Sequence, residues 1–165
     1  MKKIYILCVD DEPEVLQAVE QNIAELEDSF PILTAESSDE ARTLVKHIAD
    51  EGNLLGLVLC DHVMPGDNGV DFLIELDKED VFSNTRKVLV TGQAGLDATV
   101  KAVNEGRLNH YVAKPWQAEE LIKIAKDQLT QFVIRSKINP LPYMMSLDAE
   151  KLSEYIRTEG IVTDR

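Results

Sequence analysis

Leu54-Leu55-Gly56-Leu57-Val58-Leu59-Cys60 is the stretch that decides the fold of this chain, and it runs directly into Asp61. A nonpolar run without alternating polar positions is typical of a strand buried on both faces of a parallel sheet. The turn signals Pro65-Gly66 and Asn68-Gly69 mark the loop that leaves the strand. Because open α/β sheets bind ligands at the carboxyl ends of their strands, Asp61 is a candidate functional residue. For a lone aspartate, capping of the strand or turn is the alternative.

Apolar strands and amphipathic helices alternate on both sides of this stretch. The pattern predicts four further strands, at residues 3–9, 30–35, 87–90 and 110–113. Pro13 suits the first turn of helix 1, and Ser37 with Glu40 forms a capping box for helix 2. Five strands alternating with five helices predict an α/β fold, a doubly wound parallel sheet with helices on both faces.

Two helix boundaries follow from the same spacing. The apolar positions of helix 1 continue until about Asp28, so we expect the helix to run that far. Leu96, Val100 and Val103 mark the fourth helix, which Gly106 is predicted to stop.

Residues 136–165 are predicted to form a C-terminal linker or extension, beyond a main domain at residues 1–135. The prolines of the segment 139–142 break the fifth helix. Apolar positions between Met144 and Arg157 then predict one more short helix. Because a segment this short cannot bury a core by itself, it must pack on the main domain, a second copy or a partner, or else stay loose.

The charge of the chain limits its partners. The net charge is −13, and residues 1–130 carry 25 acidic and 12 basic side chains. Such a surface argues against direct binding of nucleic acid or of an anionic membrane. No apolar stretch approaches the roughly 18–20 residues of a membrane span, and the short first strand is too quickly followed by acids for a signal peptide. We therefore expect a cytoplasmic protein whose Cys8 and Cys60 are reduced core residues.

Polar residues follow four of the predicted strands at their carboxyl ends: Asp10 and Asp11 after the first, Asp61 after the third, Thr91 after the fourth and Lys114 after the fifth. In a parallel sheet these ends share one edge, so the side chains can converge. Three carboxylates there would repel one another without a cation, and hard oxygen ligands suit Mg²⁺. An aspartate beside Mg²⁺ can attack a phosphoryl group, while a hydroxyl and an ammonium neutralise the phosphoryl oxygens. Singly, each residue has a simpler structural interpretation; their joint placement favours the functional one.

These residues resemble the motifs of the response-regulator receiver domain, the phosphoacceptor module of two-component signalling in the CheY-like superfamily. The resemblance covers about residues 3–135 and is carried by Asp10-Asp11, Asp61 with Met64-Pro65-Gly66, Thr91-Gly92 and Lys114-Pro115. It implies a flavodoxin-like sheet with strand order 2-1-3-4-5.

The resemblance also implies a role for each matching residue. Asp61 would be phosphorylated, and Mg²⁺, with Mn²⁺ as a substitute, would be held by Asp10, Asp11, Asp61 and the backbone carbonyl of Val63. An apolar Val63 cannot hydrogen-bond an attacking water, and together with Gln93 it occupies a variable position beside the phosphoryl group.

The other matching residues would bind the phosphoryl group and transmit its presence. Thr91 would bond it and shift inward, Gly92 would leave space for it, and Lys114 would pair with one of its oxygens. The bond between Lys114 and Pro115 resembles the cis peptide of the family. Tyr111 matches an aromatic switch position, although ordinary packing is an equal alternative; Trp116 is likewise either a contact residue or a core residue.

The function that the resemblance implies is a switch rather than an enzyme, since it would catalyse only its own phosphorylation and dephosphorylation. A sensor histidine kinase or phosphotransfer protein would be the donor, and the face of helix 4, strand 5 and helix 5 would change state. A homodimer could form through this face or through the C-terminal extension. The alternative is a pseudo-receiver that binds proteins without phosphorylation. An aspartate-dependent phosphotransferase is disfavoured because Val63 stands where such enzymes have a second acid.

Overall fold

The apolar stretch at residues 54–60 forms the central strand of a five-stranded parallel sheet in the computed structural model, which describes residues 1–92 and 95–159 apart from the side chain of Leu96. The sheet consists of β1 (Ile4–Val9), β2 (Ile32–Ala35), β3 (Leu54–Cys60), β4 (Arg86–Thr91) and β5 (His110–Ala113). Their order is β2-β1-β3-β4-β5, with parallel pairing throughout. This confirms the predicted fold class and strand order.

Within the described residues, six α-helices accompany the sheet: α1 (Pro13–Asn22), α2 (Ser38–Asp50), α3 (Gly69–Asp77), α4 (Leu96–Glu105), α5 (Ala118–Arg135) and α6 (Ala149–Glu159). The buried apolar side chains of α1, α5 and α6 form one core on one face of the sheet, and those of α2, α3 and α4 form a second core on the other face. No described helix combines the length and the apolar character that crossing a membrane requires.

Helix α1 is shorter than its apolar pattern predicts. It ends at Asn22 instead of near Asp28, and a 3₁₀ turn at Ala24–Leu26 follows. Ile23 and Leu26 are nevertheless fully buried. A 3₁₀ turn repeats every three residues, so it keeps both side chains facing the core and imitates helical spacing in the sequence.

Helix α4 forms at the predicted place, but two of the apolar residues that mark it in the sequence do not enter the core. Val100 and Val103 are 46% and 50% exposed, while Ala102 is the fully buried residue among the described side chains of the helix. The helix does end before Gly106, but this glycine has φ −92° and the positive φ belongs to Arg107. A Cβ on residue 106 would lie 3.0 Å from the carbonyl oxygen of Ala102, so close packing explains the glycine better than backbone freedom.

The segment after α5 packs on the main domain. The ring of Tyr143 stacks on Phe30 with 5.1 Å between ring centroids, and Leu152 is fully buried in the core beside α5. The hydroxyl groups of Ser29 and Ser146 lie 2.8 Å apart. Residues 136–159 therefore add to the core of the α1 and α5 face, and the division at residue 135 stays a prediction.

Candidate functional site

Three carboxylates meet at the carboxyl edge of the sheet. The neighbouring strands β1 and β3 pair Val9 with Cys60, so the residues that follow them also lie side by side. Asp10, Asp11 and Asp61 each offer one oxygen, and these oxygens lie within 4.8 Å of one another. Asp10 and Asp61 are only 3% and 5% exposed. Burial of like charges at this distance is unfavourable, so the arrangement favours a bound cation.

Asp10 receives two hydrogen bonds. The backbone N–H of Glu12 donates to Oδ1 at 2.9 Å, and Nζ of Lys114 donates to Oδ2 at 2.8 Å. Burial raises the pKa of Asp10 above its ordinary value, and these two hydrogen bonds offset the rise only in part. The carboxylate is thus held in place but is electrostatically unfavourable without further positive charge.

Lys114 lies between two of the carboxylates. Its Nζ is 2.8 Å from Asp10 and 3.5 Å from Asp61, and its side chain is 20% exposed. Burial alone would lower the pKa of this ammonium, but the hydrogen bond and charge of Asp10, together with the charges of Asp61 and Glu12, outweigh burial and raise the pKa. The residue is charged at neutral pH, and the bond between Lys114 and Pro115 is cis.

Thr91, Gly92 and Tyr111 lie on the neighbouring side of the edge. Thr91 ends β4 and is buried, and its carbonyl oxygen accepts a hydrogen bond from the hydroxyl of Tyr111 at 3.1 Å. The side chain of Tyr111 is 36% exposed, so it reaches back to the strand from the protein surface. Gly92 is exposed, and a Cβ added there would make an ordinary 3.7 Å contact with Lys114.

The loop after β3 is held by residues that the sequence identified only as turn signals. Val63–Met64 and Asp67–Asn68 pair as a short antiparallel ribbon. The side chain of Asn68 accepts hydrogen bonds from the first backbone N–H groups of α3, which caps that helix. A Cβ on Gly69 would lie 1.7 Å from the carbonyl oxygen of Asp61, so only glycine fits beside this aspartate.

A cleft of about 370 Å³ opens above these groups. It is lined by Asp11, Glu12, Asp61, Val63, Met64, Pro65, Thr91, Gly92 and Lys114. Glu12 was not among the predicted site residues, although its place directly after two aspartates is a signal in the sequence. Val63 is 46% exposed on the cleft wall. Gln93 lies outside the described residues.

Trp116 packs against the protein, as one of the two interpretations of this residue predicted. Its indole N–H donates a 2.7 Å hydrogen bond to the side-chain oxygen of Asn22 at the end of α1. The ring is partly buried against the core of the α1 and α5 face. A side chain fixed in this way links the start of α5 to the end of α1.

The donor set fits a hard divalent cation. Three carboxylate oxygens at this separation, beside an open cleft with room for water, match the oxygen ligands that Mg²⁺ prefers. No thiol or imidazole belongs to this cluster in the described part of the chain, which disfavours softer metals there.

Comparison with known proteins agrees with this arrangement. A family model described as the response regulator receiver domain matches residues 6–126. The chain is 31% identical over 121 residues to the hydrogenase transcriptional regulatory protein HoxA of Cupriavidus necator. The matched region covers 73% of this chain and 23% of HoxA. It is 30% identical over 130 residues to the response regulator Rre1 of Synechocystis sp., covering 78% and 52%. The chain thus spans about a quarter of one relative and half of the other.

Solved structures share the fold. A CheY-like receiver domain protein from Methanospirillum hungatei is 25% identical, with a TM-score of 0.67, and the match covers 80% of this chain and 97% of that one. The signal receiver domain of an HD domain-containing protein from Pseudomonas fluorescens has a TM-score of 0.71 at 24% identity, covering 83% and 94%, and supports the fold alone.

Proposed function

The chain belongs to the response regulator receiver domain family, and we propose from this premise that it is a phosphorylation switch whose acceptor is Asp61. The observation that carries the proposal is the edge cluster, in which Asp61 shares one site with two further aspartates and with Lys114. We also propose that Asp10, Asp11 and the backbone carbonyl of Val63 join Asp61 in holding Mg²⁺, or Mn²⁺ as a substitute.

The local contacts of Asp61 support its role as the nucleophile. Its Oδ1 accepts a 2.8 Å hydrogen bond from the backbone N–H of His62, and its Oδ2 lies 3.5 Å from Nζ of Lys114. The two contacts orient the carboxylate toward the cleft. Attack by one of its oxygens on phosphorus forms a new O–P bond and breaks the bond from phosphorus to the donor. When bound, Mg²⁺ would supply positive charge for the phosphoryl oxygens.

Lys114 has a partner to exchange in this reaction. In the resting structure its ammonium is closest to Asp10. A phosphoryl group on Asp61 would place new anionic oxygens within reach of the Lys114 ammonium. A cation held by Asp10 and Asp11 would neutralise their negative charge, so the ion pair between Asp10 and Lys114 would contribute less. We infer that Lys114 then moves its hydrogen bond from Asp10 to a phosphoryl oxygen.

Thr91 and Tyr111 provide a route from the site to the surface. The hydroxyl of Thr91 would bond the phosphoryl group, and the end of β4 would shift. The 3.1 Å hydrogen bond from the hydroxyl of Tyr111 to the carbonyl oxygen of Thr91 would then break, or Tyr111 would move together with Thr91. Tyr111 would then turn inward from its partly exposed position. Helix α4 exposes the apolar side chains of Val100 and Val103. We propose that the α4, β5 and α5 face is the surface that changes its partner affinity, which includes the option of a homodimer.

The partners proposed for the chain follow from the same family. A sensor histidine kinase or a phosphotransfer protein would supply the phosphoryl group, and a transcriptional regulatory output would receive the signal, as the names of the relatives suggest. The receiver itself would not contact DNA, because its surface is strongly acidic.

Intact-mass measurement after incubation with a small phosphodonor tests the proposal. The experiment compares the wild-type chain, Asp61→Asn and Asp71→Asn, each with and without Mg²⁺. Asp71→Asn is the matched control because it changes an exposed carboxylate on α3 that pairs with Lys101. We expect a Mg²⁺-dependent gain of one phosphoryl mass in the wild type and in the control, and none in Asp61→Asn.

Two results would contradict the proposal. A mass gain that persists in Asp61→Asn would place the acceptor elsewhere. No gain in the wild type with any donor, although the folded chain binds Mg²⁺, would favour the pseudo-receiver alternative, in which the unmodified surface binds partners.

A further inference from the structure

A second polar pocket lies at the opposite end of β4 from the candidate phosphorylation site. Arg86 begins this strand and Thr91 ends it, so at about 3.3 Å per residue the two ends are roughly 17 Å apart. The pocket has a volume of about 110 Å³ and is lined by Asp77, Ser83, Asn84, Thr85, Arg86, Lys87, Arg107, Asn109 and Arg135. We refer to these residues as the basic pocket.

The basic pocket carries an excess of positive charge in a protein of net charge −13. Its lining includes four cationic side chains, those of Arg86, Lys87, Arg107 and Arg135, against the carboxylate of Asp77. A local charge of this sign attracts anions even where the whole molecule repels them, because salt screens the more distant acidic groups.

The single carboxylate in the lining is already shared. One oxygen of Asp77 lies 3.1 Å from Nζ of Lys87, and the other lies 3.3 Å from Nε of Arg107. The ammonium of Lys87 is buried and also donates to the carbonyl oxygen of Thr85 at 3.0 Å. These contacts satisfy Lys87, and within the described residues Asp77 forms no ion pair with Arg86 or Arg135.

Arg86 and Arg135 are the cations without a compensating charge. Within residues 1–92 and 95–159, neither guanidinium forms an ion pair. Nε of Arg86 donates to the neutral side-chain oxygen of Gln128 at 2.9 Å. Burial, and then repulsion from Arg135, lower the pKa of Arg86. Two guanidinium groups that line the same pocket and repel each other form a site that an anion would stabilise.

We propose that the basic pocket binds one phosphate group, either as free inorganic phosphate or as the terminal phosphate of a nucleotide. A planar guanidinium can donate two parallel hydrogen bonds to a tetrahedral oxyanion, which suits Arg86 and Arg135. The volume accommodates a single such group but not a nucleoside, which would extend past the exposed Arg107 and Arg135 into solvent. The site is separate from Asp61 and does not depend on its phosphorylation.

The test is an NMR titration of the isotope-labelled full chain with inorganic phosphate, in Mg²⁺-free buffer at constant ionic strength maintained with chloride. We expect saturable shifts of the backbone amide signals of residues 83–87 and 107–109, while the signals of residues 61–64 change little. A parallel titration with a nucleoside triphosphate distinguishes the two sources. Tighter binding than inorganic phosphate assigns a nucleotide, and equal or weaker binding assigns free phosphate.

Three arginine variants make the test specific. Arg135→Gln removes an exposed guanidinium with no ion pair among the described residues, so the fold should survive, and Arg86→Gln removes the second proposed ligand. Loss of a charge-assisted hydrogen bond should weaken binding by about tenfold or more in each. Arg157→Gln is the matched control, because Arg157 is exposed on α6 and does not line the pocket.

Several outcomes would overturn the proposal. Shifts that do not saturate, or that occur equally with added chloride, would show that the pocket has no phosphate site. Equal affinity in Arg135→Gln and Arg157→Gln would have the same meaning. Shifts of the pocket signals that depend on protein concentration without phosphate would instead assign the pocket to a carboxylate of a second copy.

Discussion

The ammonium of Lys114 lies 2.8 Å from Oδ2 of Asp10 at the carboxyl edge of the sheet, although the two residues are 104 positions apart in the sequence. This contact is shorter than the 3.5 Å distance from the same ammonium to Asp61. Without a metal, the lysine therefore offsets part of the repulsion among three carboxylates. Its contribution to stability should be largest when no divalent cation is present.

Lys114→Ala should lower the stability of the Mg²⁺-free protein. The substitution removes one of the two hydrogen-bond donors of the buried Asp10 carboxylate, which costs about 1–3 kcal/mol. Thermal unfolding in EDTA measures this loss, and Mg²⁺ should restore more stability to the variant than to the wild type. Lys46→Ala removes an exposed lysine that pairs with Asp50 and should change little. Equal Mg²⁺ responses in the wild type and Lys114→Ala would contradict the prediction.

Asp61→Asn should raise the unfolding midpoint in Mg²⁺-free buffer. A neutral side chain relieves repulsion with Asp10 and Asp11 and can still accept the hydrogen bond from His62. A gain of about 1 kcal/mol corresponds to roughly 2–4 °C in a protein of this size. Calorimetry with and without Mg²⁺ checks the expectation. A midpoint of Asp61→Asn equal to or lower than that of the wild type in Mg²⁺-free buffer would mean that the three carboxylates do not destabilise the fold by repulsion.

Gly69→Ala should disrupt the site together with the fold around it. The added Cβ would lie 1.7 Å from the carbonyl oxygen of Asp61, so the β3 end and the start of α3 must separate. Overpacking of this kind costs about 1–3 kcal/mol or more, and it should also reduce phosphorylation. Gly95→Ala is the control, because no heavy atom lies within 4 Å of the Cβ that it adds. Wild-type stability and phosphorylation in Gly69→Ala would show that the loop rearranges freely.

Asp67 should give the protein a stability that is lost in acid. Burial would raise its pKa, but hydrogen bonds from Ser38 and Asn68 and the charge of Arg42 outweigh burial and lower the pKa below its ordinary 3.8. A lowered folded-state pKa means that the contribution is present above pH 3.8 and disappears as pH falls through the folded-state pKa. Asp67→Asn should thus cost about 1 kcal/mol near neutral pH.

Denaturant unfolding of the wild type and Asp67→Asn across the acid range tests this pH dependence. The difference between the two proteins should shrink as pH falls below 3.8. Asp39→Asn, which alters a highly exposed carboxylate on the same α2 helix end, is the matched control. A constant difference at all pH values would show that Asp67 acts through packing and not through its charge.

Leu152→Ala should destabilise the main domain although it lies in the C-terminal segment. Leu152 is fully buried in the core that contains Phe30 and Leu129, and loss of a buried leucine side chain costs about 2–5 kcal/mol. Met145→Ala, at a fully exposed position, should be neutral. Chemical unfolding followed at Trp116 reports on the domain, since this is the one tryptophan of the chain. An unchanged midpoint in Leu152→Ala would mean that α6 detaches without effect.

The sequence by itself determined the sheet and the composition of the edge cluster. A nonpolar run at residues 54–60 has few alternatives to a doubly buried strand, and parallel strands must place their carboxyl ends at one edge. Asp10, Asp61, Thr91 and Lys114 were therefore predictable as neighbours from strand ends alone. Helix boundaries were less predictable, because the 3₁₀ turn after Asn22 keeps Ile23 and Leu26 in the core and so imitates a continuing helix.

Only the tertiary structure decided what lies away from that edge. Helical spacing in the sequence does not show which apolar side chains become buried. Val100 and Val103 stay exposed, whereas Tyr143 packs against Phe30. The basic pocket brings together Asp77, Arg86, Arg107 and Arg135, which come from four separate segments of the chain and form no recognisable sequence motif. Packing free energy, summed over many weak contacts between distant segments, sets these neighbours, whereas backbone hydrogen bonding and local apolar pattern set the sheet.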